Sequence, residues 1–517
     1  LHKLGRDEYE ILKRYYYSKA EGDDSALIDD ITWNDLEMDL FFERFNNTCS
    51  QNGGEYFYDM LRRPLVLKDG IRELRERGRV SELFREDTSL RDEYRKAFET
   101  DEKISSGFHE MLKKLDSVRR DSLILHFSLL FLAAVSLAFI FTYPFAGFIL
   151  FIAASIINVT LYFRRRAEIE SYIPVIRYLI REIREIRRLL RIDPKGLSGY
   201  HSRLKSALDS LKGIDRNAWI ILSGKRLTGG LLELPLDFIR IFFHIDLIKF
   251  DLILDGLKEK HEAVEELFNV TGFLDSMISL SFLRDELKTF CEPVFKEEGG
   301  IELSGLYHPM LKDPVPCDVE NVSLMLLTGS NASGKSTFLK AAAISLILAE
   351  TLYTVPAGKM SLCQMEIFSS MSLRDSIEKG DSLYVTEIKS IKRIADRLKT
   401  GACMAIFLDE VLKGTNTVER IASLSVLLKS FSGARVCFAA THDTPLTYIL
   451  EDIYENYHFD ENVTEEGISF PYELKKGRTG SRDAIMLLSV MGLDKEVTKE
   501  AFELSDEFLK EGVWKKL

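Results

Sequence analysis

The chain has 517 residues, a net charge of −12 and 46% apolar residues, which excludes a disordered polymer and suggests roughly two to four folded modules. An acidic average excludes a chain that is basic throughout, so any nucleic-acid contact must come from local patches. Six scattered cysteines (Cys49, Cys291, Cys317, Cys363, Cys403, Cys437) form no C-x-x-C pair and have no His partner at metal spacing, and they read as reduced, mostly buried cytosolic thiols.

Residues 1–121 read as a helical region. Leu1 to Asp30 is charged throughout and lacks the apolar core of a secretory signal. Glu37, Leu40, Phe41, Arg44 and Phe45 then alternate apolar and charged character at helical spacing.

Residues 122–164 read as a transmembrane helical hairpin. Leu123 to Thr142 and Phe145 to Phe163 contain no charged residue, and each run is close to the ~20 residues that span a hydrocarbon core. Tyr143-Pro144 breaks them. Lys113, Lys114, Arg119 and Arg120 precede the hairpin, Arg164, Arg165 and Arg166 follow it, and the turn is uncharged. The positive-inside rule therefore predicts an integral membrane protein with both soluble regions cytoplasmic; the alternative is a hairpin buried in a soluble core. His126 and Asn158 fall at similar depth, where they could bond to each other or reach headgroup water.

Residues 165–297 return to helix. Ile169, Tyr172, Ile173, Ile176, Leu179, Ile180, Ile183, Ile186 and Leu190 recur on one face, and Arg177, Arg181, Arg184, Arg187, Arg188 and Arg191 on the other. That basic face suits anionic lipid or nucleic-acid phosphate. Interleaved Glu168, Glu170, Glu182 and Glu185 favour instead an ordinary solvated face with ion pairs one turn apart. Asp193-Pro194-Lys195-Gly196 ends the helix.

From residue 298 to 517 the texture changes. Val322–Leu327, Met404–Leu408 and Val436–Ala440 are short apolar runs between helical patterns, the rhythm of a wound α/β domain with a largely parallel sheet. The first run opens into Gly329-Ser330-Asn331-Ala332-Ser333-Gly334-Lys335-Ser336, a complete G-x-x-x-x-G-K-S phosphate loop. Its glycines let backbone N–H groups turn toward phosphate oxygens, and the following helix adds its positive end. Lys335 would reach the β- and γ-phosphates, and Ser336 would hold Mg²⁺. The second run ends in Asp409-Glu410, where Asp409 suits an outer Mg²⁺ ligand and Glu410 a residue that orients or deprotonates water. The third ends in Thr441-His442, an imidazole at the carboxyl edge and a candidate γ-phosphate sensor.

Taken in order, LTGSNASGKSTFLK (Leu327 to Lys340), Val355-Pro356-Ala357, DSLYVTE (Asp381 to Glu387), Leu408-Asp409-Glu410 with Gly414-Thr415-Asn416-Thr417, and Ala440-Thr441-His442 resemble the motifs of the MutS ATPase domain. Tyr307-His308-Pro309 resembles the entry to that domain, and WNDLEMDLFFERFNNTCSQNGGEYFYDMLRRPL resembles the opening helices of the MutS core, with a return near Val270 to Leu287. The resemblance implies a MutS-core-like helical region at 1–121, a lever or core-like region at 165–297 and an ABC-like P-loop α/β ATPase domain at 298–517.

It further implies ATP and Mg²⁺ held by residues 329–337, Thr337 included, with Ser336 and Asp409 as metal ligands and Lys335, Glu410 and His442 as the catalytic set. The active unit would be a homodimer in which Ser382 meets the γ-phosphate bound by the partner. The sequence also departs from the family. No mismatch-reading domain is recognisable, the two Phe-x-Glu triplets (Phe108-His109-Glu110 and Phe290-Cys291-Glu292) fall in helical contexts, and Leu412-Lys413 stands where the family has Gly-Arg. The expected function is a membrane-tethered, DNA-associated ATPase clamp or sensor without mismatch preference. The alternative is a membrane-bound ATPase acting on lipid or a protein partner; a scaffold that binds ATP without turnover fits poorly, because Lys335, Asp409, Glu410 and His442 are all present.

Overall fold

The computed structural model describes residues 6–20, 27–66, 70–99, 108–118, 123–192, 196–214, 239, 241–330, 333–371, 383–464, 467–478, 485, 494–512 and 514–516. They form two compact units. The first comprises Leu1–Asp23, Asn46–Asp59 and Val80–Phe282, and the second Asp24–Phe45, Met60–Arg79 and Leu283–Leu517.

The described residues of the first unit are helical. Asp275 knits its core: the carboxylate accepts from the N–H groups of Cys49 (2.9 Å) and Ser50 (2.8 Å) and from the Ser50 hydroxyl (2.6 Å). Those bonds satisfy N–H groups at the start of the helix Gln51–Arg62, which helical bonding leaves unpaired. Gly53 makes the approach possible, since a Cβ there would lie 2.0 Å from Asp275 Oδ2.

The apolar hairpin forms two helices, Leu123–Phe139 and Pro144–Ile169, with Pro144 in the first turn, where its missing N–H costs nothing. Gly147 lets the chain turn tightly, because a Cβ would lie 2.5 Å from the Ile140 nitrogen. The outer faces are bare: Phe131, Phe141 and Phe145 are 71%, 88% and 82% exposed. Among the described residues one helical run, Pro144–Leu189, is long and apolar enough to cross a membrane, and only 22% of its apolar window is buried. That run is interrupted by a 3₁₀ turn at Glu170–Tyr172 before Ile173–Leu189 continues. Pro174, which cannot donate to the helical ladder, accounts for the break.

His126 and Asn158 do not bond to each other. His126 Nδ1 meets His244 Nδ1 at 2.9 Å, and Asn158 Nδ2 donates to the carbonyl of Phe242 at 3.0 Å. Both are buried. A third segment that contributes Phe242 and His244 thus caps the hairpin root, a contact across more than eighty residues that no local pattern announces. On the helix Ile173–Leu189 the apolar stripe is buried as periodicity requires. Its basic face is partly engaged, since Arg188 pairs with Glu185 (2.8 Å) and Arg181 donates to the Glu99 carbonyl (2.9 Å).

The described residues of the second unit hold twelve strands: β1 Val294–Phe295, β2 Ile301–Leu306, β3 Cys317–Val322, β4 Leu324–Thr328, β5 Lys359–Leu362, β6 Glu366–Ser370, β7 Met404–Asp409, β8 Val436–Ala440, β9 Glu455–Phe459, β10 Asn462–Thr464, β11 Gly467–Ser469 and β12 Leu474–Lys476. Six form the main sheet, in the order β12-β9-β4-β8-β7-β6. All its pairings are parallel except β12 with β9. β7 and β8 are buried along their whole length, which is why they read as unbroken apolar runs rather than alternating ones. β1, β5, β2 and β3 form a second sheet.

This unit gathers residues from well before 298. Asp29 caps the short helix Asp30–Asp35 by accepting from Thr32 N–H at 2.8 Å. That helix lies on β6, where Asp35 accepts from the Ser369 hydroxyl (2.7 Å) and Met371 N–H (3.0 Å), and Thr32 Oγ1 accepts from Ser369 N–H (3.1 Å). As β6 is the sheet's edge strand, the helix supplies partners that an edge otherwise lacks.

Candidate ATPase site

β4, β7 and β8 end side by side, and β4 sits between β9 and β8 where the chain changes direction across the sheet. Ligands collect at such a switch point, beyond the carboxyl ends of the strands. The phosphate loop leaves β4 there. Gly329 (φ +148°) and Gly334 (φ +107°) adopt backbone open to glycine alone; a Cβ on Gly329 would strike Ser333 Oγ at 2.8 Å and the Phe459 carbonyl at 2.9 Å. The helix Lys335–Leu352 then points its N-terminus into the loop. Asn331 and Ala332 lie outside the described residues, as does Ser382.

Lys335 is folded across the loop, its Nζ donating to the carbonyls of Gly329 (2.9 Å) and Ser330 (2.7 Å) and lying 3.7 Å from Glu410 Oε1. Burial lowers its pKa below the usual lysine range, an effect that Glu410 and Asp409 oppose. Ser336 and Thr337 are exposed to the cleft. Burial raises the carboxyl of Asp409 despite a hydrogen bond from Ser336, and its Oδ1 is buried without a partner, as is Ser333 Oγ. A hydroxyl and an unsatisfied carboxylate oxygen make a donor set that suits a hard divalent cation, so these residues fit Mg²⁺.

Glu410 follows β7 in left-handed backbone (φ +50°), with its N–H bonded to the Ala440 carbonyl at 3.0 Å. Its carboxylate is hydrogen-bonded by His442 Nε2 and paired with Lys413. Burial alone would raise its pKa, but bonds from His442 and Lys413 outweigh that effect and hold the carboxyl at about 2. Clamped in this way it is ionised and weakly basic, suited to orienting a water; to take a proton it must first shed cations.

Several contributors carry no sequence signature. Arg420 grips Asp443 through two bonds (2.8 and 2.7 Å) and so anchors the loop bearing His442. Ser330 donates to Glu461. Beside the phosphate loop lies a cleft of about 530 Å³, lined by Tyr307, His308, Val315, Phe459 and Tyr472. Burial lowers His308 to about 4, so it is neutral at physiological pH. Aromatic faces with a few polar groups suit a flat heterocycle continuous with bound phosphates. Residues so far apart meet only through the fold, and Tyr307-His308 alone gave a hint.

A family model, MutS domain V, matches residues 325–509. The matched stretch is the one that carries the phosphate loop, Asp409, Glu410 and His442. Similar proteins include the DNA mismatch repair protein MutS of Persephonella marina, 29% identical over 246 residues, covering 45% of this chain and 28% of that protein. The DNA mismatch repair protein MSH3 of Saccharomyces cerevisiae is 32% identical over 213 residues, 38% of this chain and 21% of its own length. MutS of Thermotoga petrophila is 26% identical over 337 residues, 62% and 42% respectively. The chain thus spans less than half the length of the relatives it matches. The MutS domain V match opens inside β4, yet β5 within it pairs with β2 outside it, so the folded unit is larger than the matched one.

Proposed function

We propose that this chain is a MutS-type ATPase that works as a homodimer, is tethered to a membrane by its hairpin, and acts on DNA as a clamp or sensor without mismatch preference. The observation that carries the reading is the junction of phosphate loop, Asp409, Glu410 and His442 at three adjacent strand ends. In this reading the loop's N–H groups and Lys335 bind the triphosphate, and the aromatic cleft takes the base. Ser336 and Asp409 would hold Mg²⁺, which when bound neutralises phosphate charge. A bound γ-phosphate would compete for Lys335 and Lys413, drawing these cations from Glu410 and freeing its carboxylate to orient the attacking water. Ser382 of one subunit would complete the other's site.

Support for membrane tethering comes from forty-one uncharged residues, 123–163, whose outer faces are exposed and apolar. The helix Leu123–Phe139, at seventeen residues, is about 25 Å long, a few ångströms short of the ~30 Å hydrocarbon core. Arginines at 164–166 and lysines at 113 and 114 keep both flanks on the cytoplasmic side. The same hairpin favours the second reading, an ATPase acting on lipid or a membrane protein. Measuring ATPase activity of the detergent-solubilised chain with and without duplex DNA, across a salt series, separates the two. Stimulation that fades steeply with salt is expected for DNA; no stimulation at low salt leaves the second reading.

A further inference from the structure

Ser330 of the phosphate loop is gripped at both ends. Its carbonyl accepts from Lys335 Nζ at 2.7 Å, and its hydroxyl donates to the Glu461 carboxylate. Gly329 offers a second carbonyl to the same ammonium at 2.9 Å. A lysine ammonium carries three donors and no acceptor, so two fixed carbonyls set its direction and leave the third N–H for a phosphate oxygen. Whatever holds the Ser330 carbonyl in place therefore helps to aim Lys335.

Glu461 stands on a corner that reaches the loop by extending a strand pairing. β4 and β9 run parallel, with Leu327 opposite Tyr457 and Thr328 opposite His458, and the contact continues past both strand ends. Thr328 Oγ1 donates to the Tyr457 carbonyl at 3.3 Å, the Phe459 carbonyl would lie 2.9 Å from a Cβ on Gly329, and Glu461 meets Ser330. Residues 457, 459 and 461 thus meet 328, 329 and 330 in turn. The corner is tied back to β12, because Asp460 accepts from Lys475 Nζ at 3.0 Å. We infer that Glu461 is a positioning residue for Lys335. It holds Ser330, and the Ser330 carbonyl aims the ammonium that binds the triphosphate. Glu461 acts through Ser330 and not on phosphate. The inference rests on Lys335 as the phosphate-binding lysine.

Charge and positioning predict opposite signs. A carboxylate near a phosphate site repels the ligand, so its removal would by itself tighten binding; loss of the held carbonyl loosens it. The test uses the full solubilised chain as Glu461→Ala, Glu461→Gln, Ser330→Ala, the Ser330→Ala, Glu461→Ala double variant and Lys335→Ala, with equilibrium ATP affinity, KM and kcat measured for each. Glu461→Ala and Ser330→Ala should each weaken ATP binding about tenfold, the low end for a hydrogen bond to a charged group. With Glu410 and the metal ligands untouched, kcat at saturating ATP should stay within about threefold, so the loss falls on KM. The double variant should bind within about threefold of either single one, because both substitutions remove the same bond. Glu461→Gln keeps an oxygen that can accept from Ser330, and should bind ATP within about threefold of wild type. Wild-type or tighter binding by Glu461→Ala, a double variant about a hundredfold weaker than wild type, or a Glu461→Gln as weak as Glu461→Ala overturns the inference. If Glu461→Ala does not fold, Ser330→Ala probes the bond from its other end, and wild-type affinity there overturns it equally. Lys335→Ala binding ATP as tightly as wild type would instead sink the underlying role of Lys335, so the two failures are distinct.

Discussion

The Glu410 carboxylate at the end of β7 is hydrogen-bonded by Nε2 of His442 just beyond β8. Strand register produces this pairing: Asp409 lies opposite Ala440, and each chain runs one or two residues further to its functional group. A slip of one residue would turn both side chains to the wrong face. Glu410→Gln should keep ATP binding and lose hydrolysis by at least about a hundredfold, because the neutral amide cannot hold the attacking water as the carboxylate does. Equilibrium nucleotide binding alongside phosphate release measures both, and wild-type turnover would remove Glu410 from the mechanism.

Arg420 should matter without touching phosphate. Its two bonds to Asp443 hold the loop that presents His442. Arg420→Ala should lower kcat about tenfold and leave KM for ATP little changed, the pattern of a lost transition-state alignment. A rise in KM alone would show that the arginine serves binding instead.

Stability of the first unit should fall as pH rises. Glu182 is fully buried, and burial, with Asp275 nearby, raises its pKa from 4.5 to about 8. Asp275 is likewise raised by burial to about 6. Between pH 4.5 and 8 the folded chain keeps a proton at Glu182 that the unfolded chain releases, so stability declines through that window, by up to about 1.4 kcal/mol per pH unit. Glu182→Gln, which stays neutral, should flatten the decline in denaturant midpoint between pH 5 and 8; an unchanged slope would refute the assignment.

Deleting residues 123–163 should release the chain from membranes into a high-speed supernatant. Recovery of the intact chain there without detergent would end the tethering proposal.

The composite site is testable by complementation. Ser382→Arg and Lys335→Ala subunits should each be inactive alone. A mixed dimer pairs the intact Ser382 of one with the intact phosphate loop of the other, so a single working site should reappear. Heterodimers that form without recovering activity would show that Ser382 does not act in trans.

Much of the site was legible because local chemistry forces it. A phosphate cradle needs glycines at 329 and 334, a lysine at 335 and a hydroxyl at 336, all within one turn of chain, and a fully buried parallel strand must be an apolar run, so β7 and β8 stood out with their carboxylates and imidazole attached. The apolar hairpin was legible for the same reason, as length and absence of charge are local properties. Only the tertiary structure decided that Asp24–Phe45 belongs with the unit that holds the phosphate loop, that His126 answers His244 and not Asn158, and that Arg420 meets Asp443 while Lys413 pairs with Glu410. Those contacts join residues tens to hundreds of positions apart through single hydrogen bonds and ion pairs. Such bonds leave no periodicity in a sequence, because their geometry exists only after the burial of apolar faces has brought the strands and helices together.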